Sequence, residues 1–177
     1  SFPTRRSSDL ITERKQAQAD LRKKKAKMDS IFRAAPTGIG VVSNRILVEV
    51  NQRICEMTGY SREELVGKSS RMLYPTQEDF EFVGNEKYRQ IALQGTGSVE
   101  TKWRRKDGTT MDIILSSSPV DQGNLSAGVT FTALDITDRK RAEKDLERYR
   151  EHLEELVKDR TIELEEKNKK LGEEIAE

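Results

Sequence analysis

Cysteine and histidine, the side chains that most often serve as nucleophiles, metal ligands and proton shuttles, occur once each in 177 residues, as Cys55 and His152. One Cys excludes an intrachain disulfide, and one Cys with one His cannot supply the three or four ligands of a typical zinc site. No Walker loop, kinase-type ATP site or paired-carboxylate motif stands out. The basic run Arg22-Lys23-Lys24-Lys25 with Lys27 is a candidate for phosphate binding. No aromatic residues interleave with it, and the chain carries 32 basic against 31 acidic residues, so it reads as a solvated helix face. That balance also argues against a dedicated nucleic-acid binder. Apolar stretches such as residues 39–42 and 46–50 are far too short to span a bilayer, and no apolar region opens the N-terminus. The expectation is a soluble, cytoplasmic chain with no catalysis of its own, no metal, no nucleic-acid partner and no membrane contact.

Whatever such a chain does must come from how its elements are arranged. Apolar residues make up 34% and charged residues 36%, so one core is expected in the middle of the chain, with solvent-exposed helix on either side. The expected division is residues 1–9 as a cloning scar or disordered native tail, 10–35 as an N-terminal helix, 36–137 as a globular domain and 138–177 as a C-terminal coiled-coil helix. In the last of these, Ala142, Leu146, Tyr149 and Leu153 alternate steps of four and three, as a coiled-coil seam requires. Val157, Leu164, Leu171 and Ile175 continue the seam after an extra step of four, a stutter that should relax supercoiling near Leu156. The first helix repeats the alternation in Leu10, Ala17, Leu21, Lys24, Met28 and Ile31, weakened by Arg14 and Lys24 on the seam. It reads either as a dimeric seam or as an amphipathic helix packing on the domain.

An internal repeat links the two ends. Ile11-Thr12-Glu13-Arg14-Lys15-Gln16-Ala17-Gln18-Ala19-Asp20-Leu21 matches Ile136-Thr137-Asp138-Arg139-Lys140-Arg141-Ala142-Glu143-Lys144-Asp145-Leu146 at seven of eleven positions, at an offset of 136 − 11 = 125 residues. The economical reading is an array in which each globular unit ends in the same strand-to-helix junction.

The middle reads as α+β. Pro36 should stop the first helix near Ala35. Gly38–Ser43 and Ile46–Val50 form a strand pair turning at Asn44-Arg45. Ser61-Arg62-Glu63-Glu64 has capping-box spacing, and Thr76 caps a helix over about residues 78–94 with Phe82, Val83 and Ile91 for its buried side. Val99, Thr101 and Trp103 alternate with charged neighbours, Asp107-Gly108 suits a two-residue hairpin turn, and residues 111–120 and 129–134 complete a run of strands. Two strands, several short helices and three strands predict one antiparallel sheet.

In this setting residues 51–67 (NQRICEMTGYSREELVG) resemble the signature of the PAS domain family. Arg104-Arg105-Lys106-Asp107-Gly108-Thr109 resembles the hairpin of its later strands, and Asp135-Ile136-Thr137 the D-I-T junction that ends the domain. The resemblance covers residues 30–137. It implies a five-stranded antiparallel sheet with short helices on one side and coiled-coil helices flanking it. Residues 149–171 further resemble linkers of bacterial sensor histidine kinases in two-component phosphorelays. The implied role is to detect a small-molecule or redox cue and pass it through a coiled-coil homodimer to an output domain of the same polypeptide, with an upstream PAS unit ending near Ile11. Alternatives are a ligand-free dimerisation scaffold and a flavin-type photo- or redox receptor.

Under that resemblance the signal junction is Asp135, Ile136 and Thr137. Thr137 can cap the outgoing helix, Asp138 suits its positive end, and Asp135 should pair within Arg104 to Lys106. A ligand pocket between sheet and helix would be lined by Tyr60, Phe82, Trp103, Ile114 and Phe131, residues that equally well fill the core. Cofactor identity stays unknown. Cys55 lacks the setting of the flavin-reactive Cys of light-sensing relatives and reads as a small buried hydrophobe. Haem-binding relatives need an axial His, and His152 lies in the coil without the Pro that follows phosphoacceptor His residues. Trp103 alone is a thin basis for a flavin.

Overall fold

The computed structural model describes residues 7–121, 123–124 and 127–175, with the side chains of 7–11 and 170–175 undescribed. Helix α1 (Ser7–Ala34) is followed by strands β1 (Gly38–Ser43) and β2 (Ile46–Val50) and by short helices α2 (Gln52–Thr58) and α3 (Arg62–Leu65). A 3-10 turn at Ser70–Leu73 leads into α4 (Gln77–Gln94). Strands β3 (Gly97–Arg104), β4 (Thr110–Pro119) and β5 (Val129–Asp135) then precede α5 (Thr137–Ile175). The chain divides into two compact units, Ser1–Asp135 and Ile136–Glu177. Of the segment read as a scar or tail, residues 1–6 lie outside the described residues and Ser7 to Asp9 belong to α1.

Local chemistry explains most boundaries. α1 stops at Ala34, ahead of Pro36, which excludes the α conformation from its predecessor. Asn44 and Arg45 turn β1 into β2 with φ of 49° and 64°, the left-handed values a tight two-residue hairpin requires. Ser61 and Glu64 close a capping box at α3: Glu64 N–H donates to Ser61 Oγ at 3.3 Å, and Ser61 N–H donates to Glu64 Oε2 at 2.9 Å. Ser61→Ala is expected to cost about 1 kcal/mol in urea unfolding; an unchanged midpoint would show that the box adds nothing here. Thr76 caps α4 by accepting from Asp79 N–H.

One turn departs from expectation. Between β3 and β4, Arg105 N–H donates to Thr109 O and Gly108 N–H donates to Arg105 O, at 2.8 and 3.0 Å. Gly108 is left-handed at φ 88°, so the hairpin is a three-residue loop with a bulge rather than a two-residue turn. Asp107 Oδ1 accepts from both the backbone and hydroxyl of Thr109, which fixes the loop and holds the Asp107 carboxyl below its usual range.

The strands form one antiparallel sheet in the order β2-β1-β5-β4-β3. Its inner face carries Val42, Leu47, Val99, Trp103, Met111, Ile113, Leu115, Val129, Phe131 and Ala133, and the short helices and α4 cover it with Ile54, Met57, Leu65, Leu73, Phe80, Val83 and Ile91. Asn51, 2% exposed, ties this layer together. Its Oδ1 accepts from Ile39 N–H and Ile54 N–H, and its Nδ2 donates to Phe32 O and Thr37 O. Four bonds from one side chain therefore join the end of α1, strand β1 and the start of α2.

α5 runs unbroken through the stutter. Leu146, Tyr149, Leu153, Val157 and Leu164 of its seam are all exposed, as are Leu21, Met28 and Ile31 on α1. The side chains of Leu10, Leu171 and Ile175 lie outside the described ones. No helix among the described residues is long and apolar enough to cross a membrane.

Candidate functional site

A cavity of about 30 Å³ lies between the inner face of the sheet and α4. The β1–β2 turn supplies Arg45, the 3-10 segment supplies Ser70, Leu73 and Tyr74, and α4 supplies Phe80, Val83, Gly84, Lys87 and Tyr88. Trp103, Leu115 and Phe131 form the sheet wall, with Trp103 and Phe131 in edge-to-face contact at 6.2 Å between centroids.

Of the five residues expected to line a pocket, the structure brings Trp103 and Phe131 together here. Phe82 is 61% exposed: on α4 the inward stripe is Phe80, Val83, Gly84, Lys87 and Ile91, and Phe82 projects to the other side. Ile114 falls between the inward-facing Ile113 and Leu115 and so occupies the opposite face of the sheet. Tyr60 is partly buried but stands in a separate depression with Glu64, Arg71 and Arg104, its ring 5.9 Å from Lys106 Nζ.

Charge in the cavity is one-sided. Arg45 stacks its guanidinium 3.5 Å from the centroid of the Phe80 ring and donates to Phe80 O. Lys87, 8% exposed, lines the same cavity from α4. No Asp or Glu lines the cavity, and neither cation has an acidic partner among the described residues. Burial, and then the nearby Arg45 charge, lower the Lys87 pKa to about 8. Burial pushes the Tyr74 hydroxyl up to about 12, opposed in part by the neighbouring Trp103 indole. Trp103 Nε1 itself is buried and makes no hydrogen bond of ordinary geometry.

At the far end of the same strands lies the junction. Arg105 Nη2 donates to Asp135 Oδ2 at 3.0 Å, and Arg105 Nε donates to Met57 O at 2.9 Å. Both side chains of the pair are more than two-thirds buried. Asp135 thus pairs with the middle of the three basic hairpin residues. Within the second unit, Lys140 N–H donates to Ile136 O at 2.9 Å, and α5 begins at Thr137.

The remaining candidates are chemically quiet. Cys55 packs against the core, its Sγ 3.8 Å from Asn51 O, and burial pushes its thiol pKa up. His152 is exposed on α5. Among the described residues no group of three His, Cys, Asp or Glu is placed to hold a metal. The cavity is too small for an isoalloxazine ring, and Cys55 does not line it, so these residues do not fit a flavin.

Comparison with known proteins gives a consistent result. The family profile described as PAS domain matches residues 36–138. The sensor protein TdiS of Thauera aromatica is 40% identical over 134 residues, 76% of this chain and 24% of the relative. Sporulation kinase A of Bacillus subtilis is 30% identical over 112 residues, 63% of this chain and 18% of the relative. The chain therefore spans a quarter or less of these proteins. Among solved structures, the PAS domain of a Colwellia psychrerythraea protein aligns with a TM-score of 0.58 at 25% identity, covering 67% of this chain and 98% of that one. The PAS domain of a LuxR-family regulator from Burkholderia thailandensis, solved in complex with ethanol, gives 0.57 at 21% identity, covering 61% and 96%.

Proposed function

Because the chain belongs to the PAS domain family, we propose that it is a sensory module in which a small-molecule or redox cue acts on the cavity and the flanking helices carry the response to an output domain. The relatives it matches are a sensor protein and a kinase, and sensory signalling is the role of the domain. The proposed output is a sensor histidine kinase of a two-component system, outside this segment.

One observation supports the coupling: β5 carries both a cavity residue and one member of the junction pair, and the other member directly follows β3, which also lines the cavity. Trp103 lines the cavity, and Arg105, two positions on, holds Asp135. Phe131 lines the cavity, and Asp135, four positions on, precedes α5 by one residue. A shift of either aromatic ring is delivered along a hydrogen-bonded strand to the start of the outgoing helix. The exposed seam of α5 supports a second copy as its partner, since Leu146, Tyr149, Leu153, Val157 and Leu164 each lie half or more in water in one chain.

The test is the double variant Asp135→Ala with Thr137→Ala in the full-length protein. The domain should stay folded, losing about 1 kcal/mol from a partly buried pair, while the output no longer responds to the signal. An unchanged signal response would remove the junction from the mechanism. The small cavity favours one rival, a ligand-free dimerisation scaffold; that reading requires output to follow dimer-interface changes alone.

A further inference from the structure

Taking the cavity as the input site, as above, its lining specifies what enters. We propose that it binds a small planar monoanion, a short-chain carboxylate or nitrate, between Arg45 and Lys87.

Four observations carry this. First, two cations line one cavity, and its lining contains no acid. The polar and titratable groups that line the cavity with Lys87 are Arg45 from the β1–β2 turn, Ser70 from the 3-10 turn, Tyr74 just after it, Tyr88 from α4 and Trp103 from β3, and none is a carboxylate. Glu86, its neighbour on α4, is held by Arg89 and Gln90. Buried charge without a counter-charge is costly, and an anion between the two would relieve both desolvation and mutual repulsion.

Second, Arg45 reaches α4 through a space that a glycine keeps clear. Its guanidinium lies so close to α4 that a Cβ on Gly84 would collide with Nη2. The hairpin turn delivers the cation, and the glycine leaves it room beside the cavity. Phe80 fixes the plane of the guanidinium while Nη1 and Nε make no bond among the described residues. Each can donate a single charge-assisted hydrogen bond to a planar oxyanion.

Third, Trp103 Nε1 is a buried donor of a residue in the same wall, beside the Tyr74 hydroxyl but without a hydrogen bond of ordinary geometry. Fourth, size limits the choice. A cavity of about 30 Å³ holds roughly two or three water-sized groups, at about 10–15 Å³ for each. Formate, acetate and nitrate are of that order, whereas a phosphate ester or an aromatic acid is not.

The full 177-residue chain would be titrated by calorimetry with sodium formate, acetate and nitrate at constant ionic strength, with acetamide as the neutral analogue of acetate. Trp103, the only tryptophan, reports carboxylate occupancy by its emission. The expected result is saturable anion binding near pH 7 that weakens at least tenfold at about pH 10, where Lys87 is neutral. Lys87→Met should reduce affinity by tenfold or more, and Gly84→Ala, which displaces Arg45 within a helix that prefers alanine, should act in the same direction. Carboxylates binding without nitrate would identify the source as an organic acid; equal binding would identify shape and charge as sufficient. Acetamide binding as tightly as acetate, unchanged affinity in Lys87→Met, or no anion binding up to about 100 mM would overturn the proposal. Hydrogen exchange at residues 137–140 separates this inference from the function it rests on. Anion binding that leaves exchange there untouched would sink the input reading and keep the anion site. Exchange that responds only to a neutral occupant would do the reverse.

Discussion

Asn51→Ala is expected to lower folding stability by about 3 to 5 kcal/mol and to give the largest loss of any single polar substitution in the chain. The side chain is 2% exposed and uses all four of its hydrogen-bonding positions. Truncation strands two backbone N–H groups, of Ile39 and Ile54, and two carbonyls, of Phe32 and Thr37. It also removes the cap of α2, worth about 1 kcal/mol alone. Asn51→Asp is the informative companion: it keeps both acceptors but sets a carboxylate oxygen against two carbonyls, so it should lose nearly as much. Urea unfolding followed by Trp103 emission measures both. A loss below about 1 kcal/mol for Asn51→Ala would mean that water replaces the side chain at the hub.

The second large effect has the opposite sign. Lys87→Met should stabilise the unliganded protein by roughly 3 kcal/mol near neutral pH, because the ammonium is charged at a cost in the fold and at none in the unfolded chain. The direction follows from the pKa of about 8 against an ordinary 10.5. Below pH 8 both states hold the proton and the whole penalty is present. Between pH 8 and 10.5 the folded state releases it first, so wild-type stability rises with pH and the advantage of the variant shrinks. Parallel denaturation of both proteins near pH 7 and about pH 10 tests this. A constant difference across that range would mean Lys87 reaches water more freely than its 8% exposure indicates. Saturating acetate should close the gap as well, since a bound anion supplies the missing counter-charge.

The sequence announces features whose causes are local. Pro36, Asn44-Arg45, Ser61 with Glu64 and Thr76 each act within four residues of themselves, and each marks a boundary that the structure shows. Alternation placed Trp103 and Phe131 on the inner face for the same reason. It could not place Ile114, because residues 113–115 are apolar without interruption and only the partner strands choose which face turns inward. Phe82 misleads similarly: the i, i+3, i+4, i+7 stripe through Phe80, Val83, Gly84, Lys87 and Ile91 excludes it. That stripe carried the missed signal, a lysine at a core position. Arg45 depends on a contact 35 residues away, and three of the four bonds of Asn51 on contacts 12 to 19 residues away, which no local pattern reports.

The repeated junction bears on how such a chain could grow or shrink. Not only do Ile11-Thr12 and Ile136-Thr137 correspond at an offset of 125 residues; Ala17, Leu21 and Met28 also fall on Ala142, Leu146 and Leu153 at that same offset. In the structure both stretches run on as helix, within α1 and α5. A crossover between the two copies would therefore excise residues 11–135 and splice the start of one helix onto the continuation of the other without rotating a single downstream side chain around the helix axis. Duplication by the reverse event would add a whole domain with equal neutrality. Gain and loss of domains here is phase-silent, so selection can vary the number of input units while the geometry handed to the output stays the same.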